Sequence, residues 1–226
     1  MPIEESTSAK LSVWEVRDVY ARLAPLSWFW ERWAEGKARR SALELAGARN
    51  GEKVLEIAVG RGSALEQLAR GNPAGTTIGA DLTSAMLQQT LRLFRRRLLP
   101  PPALCQCDGR FLPFRDASFD LVVSSYLLDL LSVYDIARTL EEMRRVLKPS
   151  GRLVLVNLSL AHPWFNRLWG VLYFIFPNLL GGCRPIRLAS YLPEAGFTVE
   201  EVRRVSERGI PSEVILARCG RSREQG

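Results

Sequence analysis

The sequence predicts an α/β protein: a seven-stranded, mostly parallel sheet with its last strand antiparallel, helices on both faces and an N-terminal helical cap. Three observations predict this fold. Short β-branched runs alternate with helical patterns from residue 53 onward, which is typical of parallel strands joined by crossover helices. A glycine-rich turn stands where the first strand meets the first of these helices. A short turn at Ser206–Ser212 joins the last two strands and makes them antiparallel.

The elements follow in order along the chain. Residues 11–46 carry apolar side chains at helical spacing, divided by Pro25 into two helices, and form the predicted cap. Strands are expected at KVLEIAV, TTIGAD, ALCQCD, FDLVVSS and RLVLVNL. The intervening helices are SALEQLAR, SAMLQQTLRLFRRRL and IARTLEEMRRVL. A short helix at LASYLPEAGF and two strands, FTVEEVRRV and EVILAR, complete the sheet.

Length and pattern together predict one folded domain over residues 47–217, preceded by the cap at 1–46. The apolar segment 160–182 follows the fifth strand and is expected to cover the site as a lid, although a core helix would show the same pattern. The tail 218–226 has no apolar residue beyond Cys219, so we expect it to be disordered.

Composition limits the class of protein. Hydrophobic residues make up 47% and charged residues 24%, which excludes a disordered or collagen-like chain. The net charge of +7 comes from an excess of arginine and would allow binding to nucleic acid or an anionic membrane. We expect most of these arginines to lie on solvated surface. The stretch Trp164–Leu180 is too interrupted to cross a membrane.

The cysteines and the single histidine, His162, predict neither a disulfide scaffold nor a metal site, because C-x-x-C spacing is absent. The first residues carry no apolar signal segment. We therefore expect a cytoplasmic protein that binds no metal, and contact with the surface of a membrane stays open. The sequence does not determine the oligomeric state.

The strongest motif is EIAVGRG at residues 56–62, placed at the end of the first strand and before a helix. Gly60 and Gly62 would let a ligand approach the backbone, and the N–H groups at the helix start favour an anionic group. Ser63 and Glu66 match a capping box, which predicts where the helix begins. A ligand of nucleotide type is the interpretation that we favour over a plain turn.

The loop also indicates which ligand is excluded. A dinucleotide fingerprint would need glycine where Leu65 stands, and the G-K-[ST] of a P-loop is absent, so NAD and ATP are both disfavoured. Asp81 ends the second strand, where a carboxylate can accept both hydroxyls of a ribose. Asp108 ends the third strand, where it can accept an exocyclic amine of a base. These positions predict an adenosine-containing cofactor.

With these motifs in order, the sequence resembles class I S-adenosylmethionine-dependent methyltransferases, which share a Rossmann-like fold. The segments that carry the resemblance are VLEIAVGRGSAL, GADLTSAML, CDGRFLPFRDASFDLVVSSYLL and LEEMRRVLKPSGRLVLVN. Within that superfamily, VYARLAPLSWFWERW and the aromatic segment after the fifth strand resemble the ubiquinone/menaquinone-biosynthesis C-methyltransferases and bacterial phosphatidylethanolamine N-methyltransferases. The resemblance departs from the family at Ala58, Arg61 and Leu26-Ser27.

The resemblance implies that S-adenosyl-L-methionine is the cofactor and assigns roles to residues of this chain. The loop around the methionine part would contain Glu56, Ala58, Gly60 and Gly62. Asp81 would hold the ribose, Leu82 would pack on the adenine, and Asp108 would accept the adenine amine. Gly109 would lie beside Asp108, and Ser124, at the end of the fourth strand, would face the methionyl group.

Methyl transfer needs mainly alignment and exclusion of water, and a base only where the nucleophile has a high pKa. Candidates for that base, or for contact with the acceptor, are Tyr20, Tyr126, Asp129 and His162. Tyr126 and Asp129 follow the fourth strand at the carboxyl edge of the sheet, where ligands bind, although both could instead serve as capping and packing groups. His162 beside Pro163 is more typical of a surface residue.

Aromatic residues in the cap and in the segment 160–182 predict a small lipophilic acceptor: a quinone-like molecule, a lipid or an aromatic metabolite. A nucleic-acid methyltransferase is the alternative that Arg92, Arg95, Arg96 and Arg97 raise, but the sequence contains neither [DN]-P-P-[YFW] nor a Pro-Cys motif. A subunit that binds the cofactor without catalysis is the third hypothesis.

Overall fold

A computed structural model describes residues 12–23, 36–160, 163–175 and 182–220. The helices in it are α1 (Val13–Leu23), α2 (Gly36–Ala46), α3 (Ser63–Gly71), α4 (Ser84–Arg96), α5 (Val133–Val146) and α6 (Pro163–Ile175). The strands are β1 (Lys53–Ile57), β2 (Thr76–Asp81), β3 (Ala103–Gln106), β4 (Phe119–Ser125), β5 (Leu147–Leu158), β6 (Phe197–Glu207) and β7 (Ile210–Cys219). Two 3₁₀ turns, Leu128–Leu130 and Leu188–Ser190, follow β4 and precede β6.

All seven strands form one sheet in the order β3-β2-β1-β4-β5-β7-β6. Strands β1 to β5 pair in parallel, whereas β7 runs antiparallel to both β5 and β6. The predicted α/β class, the strand number and the antiparallel last strand are confirmed. Arg208 and Gly209, both at positive φ, close the tight hairpin between β6 and β7, as a two-residue hairpin loop requires.

The strand order reverses between β1 and β4, and this reversal positions the site. Chain order proceeds outward from β1 through β2 to β3, and then outward from β4 to β5 on the other side. The loops after β1 and β4 therefore leave the carboxyl edge in opposite directions and open a crevice between them. Such a crevice is the usual place for a ligand in a doubly wound sheet.

The two faces of the sheet bury separate cores because successive strand side chains alternate in direction. On one face Leu55, Ile57 and Val122 pack against apolar side chains of α5, such as Leu140 and Met143. A second cluster contains the small residues of α2 together with strand valines: Ala38, Ala42, Ala46, Val54, Val123, Val154 and Val214. Small side chains let α2 lie close to the sheet.

Residues 36–46 were expected to belong to the N-terminal cap, but α2 packs on the sheet as one of its flanking helices. Helix α1 lies over the carboxyl edge, where it contacts α4 and lines the cavity of the site, and α2 contributes Arg39 to the same cavity. The second expected helix of the cap, around Leu26–Trp33, lies outside the described residues.

Two further local predictions differ from the structure. LASYLPEAGF forms a 3₁₀ turn at Leu188–Ser190 followed by turns and not an α-helix, because Pro193 lacks the N–H group that helical hydrogen bonding needs. Strand β7 extends through Arg218 to Cys219, since these residues pair with Thr198 and Phe197, so the sheet continues past residue 217. Residues 221–226 lie outside the described residues. None of the described helices is long and apolar enough to cross a bilayer.

Candidate cofactor and acceptor site

A cavity of about 270 Å³ lies at the carboxyl edge of the sheet, over the crevice between β1 and β4. One half is lined by residues at the carboxyl ends of β1 and β2 and in the loops that follow β1, β2 and β3: Glu56, Ala58, Gly60, Arg61, Asp81, Leu82, Thr83, Cys107, Asp108 and Gly109. The other half is lined mostly by apolar residues from elements far apart in sequence: Val13, Val16, Tyr20, Tyr126, Leu130, Leu131, Leu158, Trp169, Cys183 and Ile210. We call these the loop half and the apolar half.

The glycine-rich loop turns through positive φ at Ala58, Gly60 and Gly62. A Cβ atom at Gly60 would meet nothing within 4 Å, so this position faces open space, whereas one at Gly62 would lie 2.5 Å from Cγ2 of Thr90. The Thr90 hydroxyl donates a hydrogen bond of 3.0 Å to the Gly60 carbonyl and holds the loop from behind. Gly62 supports the loop without lining the cavity.

The predicted capping box at the start of α3 is wrong. Gly62 is the capping residue, in the left-handed conformation and with no side-chain hydrogen bond, and Ser63 is already the first residue of the helix. The carboxylate of Glu66 accepts a hydrogen bond from Arg70, one turn further along. Helix α3 is therefore preceded by a glycine because the backbone conformation at this position excludes a side chain, and no side chain caps the helix.

Asp81 lies buried at the end of β2 and lines the cavity. Its Oδ2 accepts the N–H of Gly60 at 3.1 Å, and its Oδ1 accepts the N–H of Thr83 at 2.9 Å. Burial raises the pKa of this carboxyl to about 6, while the two backbone hydrogen bonds oppose the rise. One carboxylate thus joins the turn after β1 to the turn after β2 and has lone pairs left for a ligand.

Asp108 follows β3 and lines the same half, but its carboxylate is engaged by Arg110. Nη2 of Arg110 lies 2.7 Å from Oδ2 of Asp108, and Nη1 lies 2.8 Å from Oδ1 of Asp135. The two carboxylates raise the pKa of the guanidinium above its usual value. Sequence reasoning missed Arg110, because its partner Asp135 lies at the start of α5 and only the fold brings the two together.

The remaining predicted cofactor residues divide into two groups. Glu56, Ala58, Leu82 and Gly109 line the loop half as expected. Ser124 does not line it: this residue is buried, and its hydroxyl donates a hydrogen bond of 3.0 Å to the carbonyl of Ile57 on the neighbouring strand.

Ser125 lines the cavity in place of Ser124. Adjacent residues of a strand point to opposite faces, so an error of one residue exchanges a lining residue for a core residue. Contact between Ser124 and the methionyl group is therefore not supported by its position.

Two of the four predicted catalytic residues reach the cavity. Tyr126 lines it directly after β4, in the left-handed region at φ 54°, and its hydroxyl lies 2.8 Å from Oγ of Ser212 on β7. Tyr20 of α1 lines it from above, with its hydroxyl 3.8 Å from Sγ of Cys183. Positive φ is uncommon for a bulky residue and costs backbone energy, so the surrounding contacts must hold Tyr126 in place.

Asp129 was predicted as a catalytic candidate, but it lies fully buried behind the cavity and does not line it. Its Oδ2 accepts the N–H of Leu158 at 2.9 Å. Burial raises the pKa of this carboxyl to about 7, partly offset by the backbone N–H of Leu158 and by the charge of Arg184. A side chain in this position cannot contact an acceptor. His162 lies outside the described residues.

The aromatic residues of α6 take different positions. Trp169 lines the cavity and donates a hydrogen bond of 3.1 Å from Nε1 to the carbonyl of Cys183. Tyr173 is buried, whereas Phe174 is 71% exposed. Helix α6 therefore contributes both a wall of the site and an exposed surface. The sequence also gave no sign that Ile210 of the last hairpin, or Arg39 of α2, would line the cavity.

Comparison with known proteins finds similarity to methyltransferases in the central part of the chain. A family model described as a methyltransferase domain matches residues 54–151. The ubiquinone/menaquinone biosynthesis C-methyltransferase of Cellvibrio japonicus is 39% identical over 126 residues, covering 55% of this chain and 50% of that protein. The demethylmenaquinone methyltransferase of Beutenbergia cavernae is 36% identical over 165 residues, covering 72% of this chain and 62% of that protein. The chain thus matches half to less than two thirds of the length of these two relatives.

Solved structures support the fold. The 1,6-didemethyltoxoflavin-N1-methyltransferase of Burkholderia thailandensis, solved with its substrate and S-adenosylhomocysteine, superposes with a TM-score of 0.72 at 18% identity, covering 97% of this chain and 94% of that one. The [4+2]-cyclase SpnF superposes with a TM-score of 0.73 at 17% identity, covering 91% of this chain and 95% of that one. A cyclase among these neighbours illustrates that the fold alone does not determine the reaction.

Proposed function

We propose that this chain, which contains a class I S-adenosylmethionine-dependent methyltransferase domain, transfers a methyl group from that cofactor to a lipophilic, quinone-like acceptor. The observation that carries the proposal is the division of one cavity into the loop half and the apolar half. A polar cofactor and an apolar acceptor would meet inside a single space. The names of the relatives from Cellvibrio japonicus and Beutenbergia cavernae support a quinone as the acceptor class.

The loop half fits S-adenosylmethionine. The open space beside Gly60 leaves room for a ligand against the backbone. Asp81, held by the N–H groups of Gly60 and Thr83, is placed to accept hydrogen bonds from the ribose hydroxyls. We assign Leu82 to the adenine face and Asp108, oriented by Arg110, to the adenine amine.

The apolar half supports an acceptor with a large apolar surface. Val16, Leu130, Leu158 and Ile210 come from four different elements and leave few polar groups to orient water. Exclusion of water protects a reactive sulfonium and strengthens the electrostatic interactions between the reacting groups. A sugar or amino acid acceptor would need more hydrogen-bond partners than these side chains offer.

When bound, the cofactor supplies a methyl group on a positively charged sulfur, and the remaining requirements fall on the residues of this chain. The apolar half aligns the acceptor atom in line with the methyl group, and alignment of the reacting atoms removes a large part of the barrier to such a displacement. The hydroxyls of Tyr126 and Tyr20 are the groups that we propose to orient an acceptor hydroxyl through hydrogen bonds. Asp129 has no part in that step because it lies behind the wall.

Peripheral contact with an anionic membrane would bring such an acceptor to the cavity. Helix α6 carries side chains that are at least half exposed: Leu168, Val171, Phe174 and Ile175. The same helix lines the cavity through Trp169 and carries exposed Arg167, whose charge complements anionic lipid headgroups.

A Phe174→Ser/Ile175→Ser variant should lose sedimentation with phosphatidylglycerol vesicles, whereas Tyr134→Ser, at an exposed residue of α5, should not. Equal binding by both variants would contradict this surface. The cytoplasmic compartment stays a prediction.

The decisive experiment for the reaction measures transfer of a labelled methyl group to a short-chain 1,4-naphthoquinol, with RNA and DNA as alternative acceptors. Methylation of the naphthoquinol by the parent protein, with a lower yield of labelled product in the Tyr126→Phe or Trp169→Ala variant, would support the proposal. Labelled nucleic acid would favour the alternative raised by the arginines. Tight binding of S-adenosylhomocysteine without transfer to any acceptor would favour a non-catalytic subunit.

A further inference from the structure

Two oppositely charged side chains lie completely buried behind the apolar half of the cavity. Asp129 belongs to the 3₁₀ turn after β4, and Arg184 belongs to the segment that follows α6; their exposed fractions are 0% and 1%. The residues are far apart in sequence, so only the fold brings them together. Neither one lines the cavity, and the mechanism proposed above uses neither.

The backbone around this pair joins three walls of the site. The N–H of Arg184 donates to the carbonyl of Asp129 at 3.2 Å, and Nη2 of Arg184 donates to the carbonyl of Leu131. The carboxylate of Asp129 accepts the N–H of Leu158, at the end of β5, at 2.9 Å. The segment after α6, the turn after β4 and the end of β5 are therefore connected through two side chains.

Each connected segment carries residues that line the cavity. Leu131 and Leu158 line it at the points where they bond to the pair, and Cys183 lines it next to Arg184. The carbonyl of Cys183 accepts the indole N–H of Trp169, which extends the connection to α6. A displacement of Arg184 would thus move the apolar wall but not the loops after β1, β2 and β3.

This arrangement is costly, because burying two charges removes both from water. Within the described part of the chain, Oδ1 of Asp129 and Nε and Nη1 of Arg184 have no hydrogen-bond partner. Burial lowers the pKa of the Arg184 guanidinium, and the charge of Asp129 opposes that change. Well-packed apolar side chains of similar size would avoid this cost. The pair therefore calls for an explanation other than stability.

We propose that Arg184 and Asp129 are positioning residues for the acceptor, which hold the segment carrying Cys183 against the turn after β4 and the end of β5. The hydrogen bonds from the Arg184 guanidinium to the Leu131 carbonyl and from the Leu158 N–H to the Asp129 carboxylate maintain the spacing of the apolar half, whereas Asp81 organises the loop half separately. The inference rests on the proposed function for the nature of the acceptor, but its structural part can be tested without any acceptor.

The test uses the neutral double variant Asp129→Asn/Arg184→Gln, in which no uncompensated charge stays buried. We expect kcat/KM for a short-chain 1,4-naphthoquinol to fall by at least about tenfold, mainly through KM, because a loosened wall aligns the acceptor poorly. The Kd for S-adenosylhomocysteine, measured by calorimetry, should stay within about twofold. Hydrogen exchange should become faster in residues 163–175 and 183–186 and stay unchanged in residues 56–62.

Two further variants separate positioning from general stability. Glu52→Gln/Arg152→Gln removes a largely buried ion pair elsewhere in the molecule, with an Nη2 to Oε2 distance of 2.8 Å, near the amino end of β1. This variant should keep the acceptor KM of the parent. Arg184→Lys keeps the charge but loses the planar group that reaches the Leu131 carbonyl, so we expect an intermediate KM. If the neutral double variant does not fold, Arg184→Lys alone decides the kinetic question.

The proposal would be overturned if the neutral double variant kept the acceptor KM of the parent and showed unchanged hydrogen exchange in residues 163–175 and 183–186. An equal rise of KM in the Glu52→Gln/Arg152→Gln variant would overturn it as well, because the effect would then be a general loss of stability. If the parent protein does not methylate the naphthoquinol, the proposed acceptor is wrong. The exchange pattern and the affinity for S-adenosylhomocysteine then decide the role of the pair by themselves.

Discussion

The two halves of the cavity are built in different ways. Residues of the loop half follow directly after β1, β2 and β3, and their hydrogen bonds connect neighbouring strand ends, as between Asp81 and Gly60. The apolar half is assembled from α1, α6, the turn after β4 and the β6–β7 hairpin. The loop half therefore inherits its geometry from the parallel sheet, whereas the apolar half depends on tertiary contacts such as those of Arg184.

This difference predicts which property each part of the molecule controls. Changes in the loop half should alter the affinity for the cofactor whatever the acceptor is. Changes in the apolar half should alter acceptor kinetics while the affinity for the cofactor stays constant. Variants that violate this separation would show that the two halves act as one unit.

The largest effect is expected from Gly60→Val combined with Asp81→Ala. The branched side chain would occupy the open space beside the backbone, and the second change removes the carboxylate that joins two turns. We expect binding of S-adenosylhomocysteine to weaken by about 100-fold or more, equivalent to about 2.7 kcal/mol. Gly51→Val is the matched control, since Gly51 also has positive φ, nothing lies within 4 Å of a Cβ there, and this residue does not line the cavity. Unchanged affinity in the double variant would refute the cofactor assignment.

A smaller effect is expected from Trp169→Ala in the apolar half. Loss of the indole removes a wall of the cavity and the hydrogen bond to Cys183. The acceptor KM should rise about tenfold, because the acceptor loses apolar contact area. Steady-state kinetics should show this rise, and calorimetry should show unchanged affinity for S-adenosylhomocysteine. Tyr134→Ala, at an exposed residue of α5, is the control. A loss of cofactor affinity in Trp169→Ala would break the separation of the halves.

The pH dependence of cofactor binding tests Asp81 alone. Burial raises its pKa to about 6, so the carboxylate predominates at pH 7.5 and the neutral acid at pH 5. If the carboxylate accepts the ribose hydroxyls, affinity should fall by about tenfold between pH 7.5 and pH 5, as the group protonates. Affinity measured by calorimetry across this range should be flat in Asp81→Asn. A flat profile in the parent would show that the ribose does not bind to the ionised form.

The smallest effect is expected from Arg95→Gln/Arg96→Gln/Arg97→Gln at the end of α4. All three side chains are exposed and none lines the cavity. Turnover of the naphthoquinol should therefore change by less than about twofold, as for surface changes in general. Circular dichroism should confirm that α4 is retained. A large loss that appears only with RNA or DNA as acceptor, and that depends on salt, would favour the nucleic-acid alternative.

The loop half could largely be predicted from the sequence. Its residues belong to motifs that are local in sequence, and the predicted strands that carry them are present. The errors there are errors of register or of local bonding. Ser124 was predicted to line the cavity, but Ser125 does so. A capping box was predicted at the start of α3, but Gly62 is the capping residue. Both depend on side-chain directions that change from one residue to the next.

The apolar half could be predicted only as a composition. The aromatic residues of 160–182 indicated a lipophilic site, but which of them would line it depended on the rotation of α6: Trp169 faces the cavity and Phe174 faces outward. Asp129 follows a strand at the carboxyl edge and matched the expected position of a catalytic carboxylate. Its burial against Arg184 results from a contact between distant segments that no local pattern contains.

The sequence by itself determined the α/β class, the strands that carry the cofactor loop and the acidic residues at the strand ends, because periodicity and glycine placement act over a few residues. The tertiary structure alone decided that α2 packs on the sheet, that Arg110 orients Asp108, and that Asp129 and Arg184 lie behind the apolar half of the cavity. The physical reason is the range of the forces involved. Backbone conformation is set by neighbouring residues of the chain, whereas burial and the pairing of charges depend on which distant segments the fold brings into contact.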